Sequence, residues 1–176
     1  MDKTLPMNFL ELVKQRCSVR AYQPREVEEE KIDYLLECGR LAPSACNRQP
    51  WRLIVVRDEA RRKALQAAYN RDWFGQAPVC IVVCVDDSEA WVRSHDGRCH
   101  SDVDAAIVAE HLVLAAAEQG LGCCWVCAFD PAICTQALGI EAPLRPVALL
   151  PIGYPAPTAA VAPKNRKPIA EIVKEL

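Results

Sequence analysis

Two clusters of basic side chains lie near the two ends of the chain, and their types and spacing could bind a phosphate. Arg16, Ser18 and Arg20 occupy alternate positions, so an extended backbone points all three side chains to the same side. Lys164 and Arg166 repeat this alternation towards the other end. Guanidinium groups and a hydroxyl form charge-assisted hydrogen bonds to phosphate oxygens. The pattern indicates a phosphate site, with a solvated charge patch as the alternative for each cluster taken alone.

A short polar loop offers a second kind of recognition. Pro43 and Pro50 restrict the backbone on both sides of Asn47 and Gln49. Each side-chain amide carries both a donor and an acceptor, which suits a ring edge that alternates acceptors and donors, such as the pyrimidine of a flavin. Taken alone, this segment is also compatible with an ordinary polar turn.

The ten cysteines raise the question of a metal or thiol-redox site. Cys124 and Cys127 form a C-x-x-C pair, but in a strand residues three apart point to opposite faces. Cys80 and Cys84 share a face but lie roughly 13 Å apart at ~3.3 Å per residue. Cysteine is also a common small apolar core residue. We interpret most of these cysteines as core residues and predict no metal site, while a metal-binding or thiol-redox protein stays open as an alternative.

Glycine loops that bind phosphates have little support in this sequence, which contains seven glycines. Gly120 and Gly122 begin like a dinucleotide fingerprint, but Trp125 stands where the third glycine is required, and a strand follows instead of a helix. His95, Cys99 and His100 fall in a predicted loop, which is either solvated or lines a substrate cleft.

The elements that must position these residues alternate along the chain. Helices are predicted over Asn8–Arg16, Val27–Ala42, Asp58–Tyr69, Ser101–Gln119 and Asp130–Leu138, and strands over Trp51–Arg57, Pro78–Val85, Cys123–Phe129 and Pro146–Gly153. Pro78–Val85 is apolar throughout, which is typical of a strand buried on both faces. This order predicts a single domain over residues 1–176 with about four strands covered by helices. Tyr154–Pro163 should lie extended, for example against a second subunit.

Composition limits the classes of function. The 176 residues carry 21 basic and 23 acidic side chains, a net charge of −2, so no charge excess predicts binding to nucleic acid or to a membrane surface. No apolar run approaches the ~18 residues of a membrane span, and the first residues lack the apolar core of a signal peptide. We therefore expect a cytoplasmic protein.

Five segments in order carry a family resemblance: Arg16–Arg20, PSACNRQPW from Pro43, GLGCCWVCAFD from Gly120, PIGYP from Pro151 and KNRKP from Lys164. In this order they resemble the nitroreductase family of FMN-dependent flavoproteins. The resemblance implies an α+β fold in three layers, with a central mixed sheet of four to five strands flanked by helices. It also implies a homodimer with FMN at the subunit interface and with residues 154–176 packed on the partner subunit.

The resemblance further assigns cofactor-binding roles to individual residues. By similarity, the phosphate and ribityl chain would contact Arg16, Ser18, Lys164 and Arg166, and Arg20 would approach the pyrimidine. The partner subunit would supply the loop residues Pro43, Ser44, Ala45, Asn47 and Gln49. The backbone of Val126, Cys127 and Ala128 would face the reactive nitrogen of the flavin.

The activity that this resemblance implies needs no catalytic side chain, because the cofactor carries the hydride. NAD(P)H would reduce bound FMN, leave, and be replaced by a small oxidant such as a nitroaromatic or a quinone, in a ping-pong reaction. A flavin-binding protein without turnover is the remaining alternative beside the thiol-based protein.

Overall fold

The computed structural model describes residues 8–160 and 163–176. Residues 1–7 of the predicted domain and Val161 and Ala162 of the predicted extended segment lie outside them. The helices are α1 Phe9–Gln15, α2 Glu29–Arg40, α3 Glu59–Gln66, α4 Asp72–Gly75, α5 Ser101–Glu118, α6 Pro131–Leu138 and α7 Ile169–Ile172, with a short 3-10 helix at Ala45–Asn47. The strands are β1 Trp51–Val56, β2 Val79–Asp86, β3 Gly122–Cys123 and β4 Leu144–Gly153.

The helix ends follow the local chemistry of the sequence. The side chains of Asn8, Asp58 and Asp130 each accept a hydrogen bond from a backbone amide in the first turn of the helix that follows, which satisfies donors that the helix leaves free. Gly139 ends α6 at a φ of 65°, a conformation in which glycine carries no steric cost. Among the helices in the described residues, none is both long and apolar enough to span a membrane.

The sheet has four strands in the order β1-β2-β4-β3, and every neighbouring pair of strands is antiparallel. A parallel element is added by a single bridge between Ser18 and Cys123. The eight residues of β2 are all buried, as the continuous apolar run predicts for a strand covered on both faces.

The prediction of a strand over Cys123–Phe129 is wrong, because the regular ladder ends at Cys123. The same register returns at one point, where Val126 and Leu149 exchange two backbone hydrogen bonds of 3.0 and 2.9 Å. Continued from Cys123–Ile152, this register places Pro151 opposite Cys124. Proline has no backbone N–H to donate, and the Pro151 carbonyl accepts from the Tyr22 hydroxyl at 3.1 Å instead.

The side chains of β2 alternate between two cores. Ile81, Val83 and Val85 pack with α2 and α5 on one face of the sheet, whereas Val82 and Cys84 pack on the opposite face with residues of α3, α4 and α6. Both faces are therefore covered by helices. The fold is α+β in three layers, as the sequence analysis predicts.

The segment after β4 runs back along the beginning of the chain. Ala156 donates its amide to the Ala21 carbonyl at 3.0 Å, and the Gln23 side chain donates to the Pro155 carbonyl at 2.7 Å. Further on, α7 forms a single helical turn, and its Ile169 and Ile172 are exposed. An exposed apolar segment of this kind marks a surface that a partner can cover.

Candidate functional site

The two basic clusters of the sequence line one cavity. A space of about 200 Å³ is bordered by Arg16, Ser18 and Arg20 from the beginning of the chain and by Lys164 and Arg166 from its end. The segment after α1 and the segment after β4 are held side by side, so residues nearly 150 positions apart in the sequence meet here. The structure therefore brings together all five predicted phosphate-site and pyrimidine-site side chains within one protomer.

Local backbone contacts fix the segment that carries these side chains. The amide of Arg16 closes α1 on the Leu12 carbonyl at 2.9 Å, and the amide of Val19 donates to the Cys123 carbonyl at 3.1 Å. A Cβ atom on Gly122 would stand 2.8 Å from the Val19 side chain. Glycine at this position therefore permits the close approach that places Ser18 beside β3.

The cavity carries positive charge that the described residues do not neutralise. Among the described residues, no carboxylate forms an ion pair with Arg16, Arg20, Lys164 or Arg166. The ammonium group of Lys164 donates to the Val13 carbonyl. Burial and the neighbouring Arg16 and Arg166 lower the pKa of Lys164, because each disfavours a further positive charge. This environment favours a bound anion.

Arg20 and Cys124 connect the cavity with the segment 124–128. The guanidinium of Arg20 lies over the Trp73 ring, 5.9 Å from its centroid, a cation–π contact that the sequence analysis missed. Burial raises the pKa of the Cys124 thiol, and the nearby Arg20 charge opposes this shift. Val126 is buried and bridged to β4, whereas Cys127 and Ala128 are exposed. The indole N–H of Trp125 donates to the Cys127 sulfur at 3.1 Å.

The predicted amide loop has an unusual backbone and internal hydrogen bonds. Cys46, Asn47 and Gln49 have positive φ values of 51°, 52° and 51°. The backbone N–H of Gln49 donates to the Ser44 hydroxyl at 2.8 Å, and the side-chain amide of Gln49 donates to the Asn47 side-chain oxygen at 3.0 Å. Asn47 and Gln49 remain exposed to solvent.

This loop lies far from the basic cavity of the same chain. Ala45 contacts Asp104 in the first turn of α5, whereas Arg16 borders a second cavity together with Val113 and Ala117 near the other end of the helix. From Asp104 to Ala117, α5 rises about 20 Å at about 1.5 Å per residue. The predicted site residues therefore form two groups, at opposite ends of α5, and one protomer does not bring them together.

Between these two groups, α5 presents an apolar face that the described residues leave uncovered. A groove of about 710 Å³ runs along it and is bordered mainly by apolar side chains, among them Phe9, Val103 and Ile107. Phe9 is 68% exposed and Val103 is 43% exposed. An exposed apolar patch of this kind is typical of a surface that a partner covers, so this face has the character of an interface.

The cysteines form no reactive cluster. All ten are free, and no metal-binding group of histidine, cysteine or acidic residues occurs in the described part of the chain. Burial raises the pKa of Cys84 to about 12 and that of Cys134 to about 11, so at these two positions the thiolate that metal binding and disulfide exchange require is disfavoured. Cys99 and His100 lie at the start of α5, where His100 packs on Trp91 with ring centroids 5.0 Å apart.

Comparisons with known proteins agree with this architecture. The sequence model of the nitroreductase family matches residues 13–71 and 63–154. The crystal structure of a nitroreductase family protein from Clostridium difficile superimposes with a TM-score of 0.83 at 40% identity, covering 96% of this chain and 98% of that one.

Curated relatives extend over the same region. The NADH dehydrogenase of Thermus thermophilus is 29% identical over 204 residues, and the match covers 98% of this chain and 98% of that protein. The FMN reductase [NAD(P)H] of Bacillus subtilis is 29% identical over 163 residues, which covers 84% of this chain and 66% of the relative. From the motifs, the fold and these matches, the chain belongs to the nitroreductase family of oxidoreductases.

Proposed function

We propose that this protein binds FMN and transfers reducing equivalents from NAD(P)H to a small electrophilic acceptor. The observation that carries the proposal is the cavity in which Arg16, Lys164 and Arg166 lie together without carboxylate partners among the described residues. A phosphate group would satisfy these charges, and Ser18 adds a hydroxyl donor. The donor set therefore fits the phosphate end of FMN.

Arg20 supports the placement of the ring. Its guanidinium carries a fixed positive charge beside Cys124, three residues before the exposed Cys127. A fixed cation beside the pyrimidine would stabilise the negative charge of a reduced flavin. The Val126–Leu149 bridge would hold the neighbouring backbone still against the ring.

When bound, FMN supplies the hydride chemistry, accepting a hydride from NAD(P)H and passing electrons to the second substrate in a ping-pong reaction. The chain binds the phosphate, orients the ring and stabilises charge, and no side chain is required as a nucleophile. A dinucleotide fingerprint is not required either, because the nicotinamide would need only to stack on the flavin. Nitroaromatics and quinones are acceptors of suitable chemistry, and the Bacillus subtilis relative is named as an FMN reductase.

We further propose that the functional unit is a homodimer. The loop with Pro43, Ser44, Ala45, Asn47 and Gln49 would complete the flavin site of the second copy, since it cannot reach the basic cavity of its own chain. The uncovered face of α5 supplies an apolar surface for such an interface. The exposed Ile169 and Ile172 support the packing of residues 154–176 on the partner.

The absorption spectrum of the purified protein tests this proposal. We expect flavin bands after purification or after addition of FMN, and their loss when NADH or NADPH is added without oxygen. A protein that takes up no FMN would contradict the proposal. Flavin bands that neither nucleotide bleaches would indicate a flavin-binding protein without turnover.

A further inference from the structure

Asp104 is a carboxylate buried in the first turn of α5, and its side chain accepts no hydrogen bond from that helix. Its exposed fraction is 1%. The N-cap position of α5 belongs to His100, whose side chain caps nothing, and the backbone amide of Asp104 already donates to the His100 carbonyl at 3.0 Å. Burial of a carboxylate costs free energy unless it is hydrogen-bonded. The group that donates a hydrogen bond to Asp104 therefore indicates what this residue does.

That partner is the polar loop. The Ala45 amide donates to Oδ1 of Asp104 at 2.9 Å, and Ala45 is the first residue of the 3-10 helix. Ser44, which precedes it, makes no side-chain cap to this helix. Among the described residues, this is the one hydrogen bond that joins residues 44–49 to another element.

The loop needs such an anchor because its backbone is unfavourable. Three residues of the loop have φ values near 50°, namely Cys46, Asn47 and Gln49. Residues other than glycine occupy this region rarely. Such conformations persist where surrounding contacts determine them, and they cluster at functional sites. The bonds between Gln49 and Ser44 or Asn47 hold the loop together internally, but they do not fix its position on the protein.

We propose that Asp104 is a positioning residue, which holds the loop 44–49 in the conformation that presents Asn47 and Gln49 to the flavin of the second subunit. This inference rests on the proposed function. Oδ2 of Asp104 has no hydrogen-bond partner in the described residues. The role therefore needs one neutral acceptor oxygen at the place of Oδ1, and an asparagine can supply it.

Three variants test this role: Asp104→Ala, Asp104→Asn and the control Asp102→Asn. Asp102 lies in the same helical turn and contacts Arg145 instead of the loop. Hydrogen exchange of residues 44–49 is measured on each protein as purified, together with the dissociation constant for FMN. We expect Asp104→Ala to exchange faster in the loop and to bind FMN about tenfold more weakly, as the loss of one buried hydrogen bond predicts. Asp104→Asn and Asp102→Asn should match the wild type in both measurements.

Unchanged exchange of the loop in Asp104→Ala would overturn the inference, and so would an equal defect in Asp104→Asn, since asparagine retains the acceptor. If wild-type protein binds no FMN, the proposed function fails, while the exchange data still decide the role of Asp104.

A variant of the donor covers the case in which Asp104→Ala does not fold. Ala45→Pro removes the backbone N–H and leaves Asp104 in place. Proline is favoured at the first helical position, and the ψ of 161° at Ser44 is the extended conformation that a residue before proline requires. The same faster exchange of the loop is expected, and wild-type exchange would overturn the inference.

Discussion

Arg16 borders both cavities at the proposed flavin site. It follows α1 directly, lines the basic cavity with Lys164 and Arg166, and borders the adjoining cavity beneath α5. Because no carboxylate in the described residues pairs with it, its charge is available to a ligand. Its removal should therefore affect binding more than folding.

We expect Arg16→Ala to weaken FMN binding by about 10- to 100-fold, the range for a lost charge-assisted hydrogen bond of about 1.5–3 kcal/mol. Arg61→Ala is the matched control, because Arg61 is exposed on α3 and outside the cavity. Fluorescence titration with FMN measures both variants. Equal affinity of Arg16→Ala and the control would contradict the phosphate role.

The Cys124 thiol is expected to be chemically inert. Burial raises its pKa, so it remains protonated at neutral pH and is a poor nucleophile. Cys124→Ser should therefore leave the rate of anaerobic FMN reduction by NAD(P)H within about twofold of wild type, since the cofactor carries the hydride. Loss of reduction in a folded, FMN-loaded variant would support the thiol-redox alternative.

At the scale of elements, the contact between β3 and the segment after α1 positions the site. The Val19 amide bonds to Cys123, and Gly122 leaves room for the Val19 side chain. Ser18 and Arg20 flank Val19, so any displacement of this segment moves both cavity residues together.

Gly122→Ala should therefore reduce both stability and FMN affinity. The added Cβ would stand 2.8 Å from three atoms of Val19, and overpacking of this kind costs about 1–3 kcal/mol. Gly75→Ala is the control, since its added Cβ would meet the movable end of the Gln66 side chain. Thermal unfolding and FMN titration of both variants provide the measurement, and a Gly122→Ala protein as stable as the control would show that the segment can move aside.

The helices and strands were predicted correctly where a pattern within the segment determines its structure. The prediction was wrong where a segment distant in the sequence determines it. The apolar run Pro78–Val85 is a local signal, and the structure confirms the buried strand that it predicts. The strand predicted after Cys123 is interrupted because Pro151 of β4 lies opposite. Pairing across the sheet is not visible in the sequence of either segment.

The site was predictable to the same extent. The alternation of basic residues predicted a phosphate site, and the structure brings both clusters to one cavity, whose ligand remains a proposal. The contacts of Trp73 and Asp104 were not visible, because an aromatic residue between two predicted elements and an acid in the first turn of a helix are both common. Only the three-dimensional structure shows that Arg20 lies over Trp73 and that Asp104 bonds to Ala45.

At the scale of the whole molecule, the uncovered face of α5 predicts a dimer that can be disrupted by one charge. Val103 is 43% exposed on this face, so Val103→Glu should fold but should lose the apolar contact. We expect a monomer by light scattering and FMN binding at least tenfold weaker. Ala132→Glu, an exposed substitution on α6, is the control and should remain dimeric. A dimeric Val103→Glu protein with wild-type affinity would place the interface elsewhere.

The separation of the loop and the basic cavity by the length of α5 has a genetic consequence. In the proposed dimer each flavin site takes its cavity from one chain and its loop from the other. A chain with Arg16→Ala and a chain with Asn47→Ala would each be defective as homodimers. Their mixed dimer would contain one site with both defects and one site with neither. Since random pairing makes about half of the dimers mixed, two defective alleles expressed together should restore about a quarter of all sites.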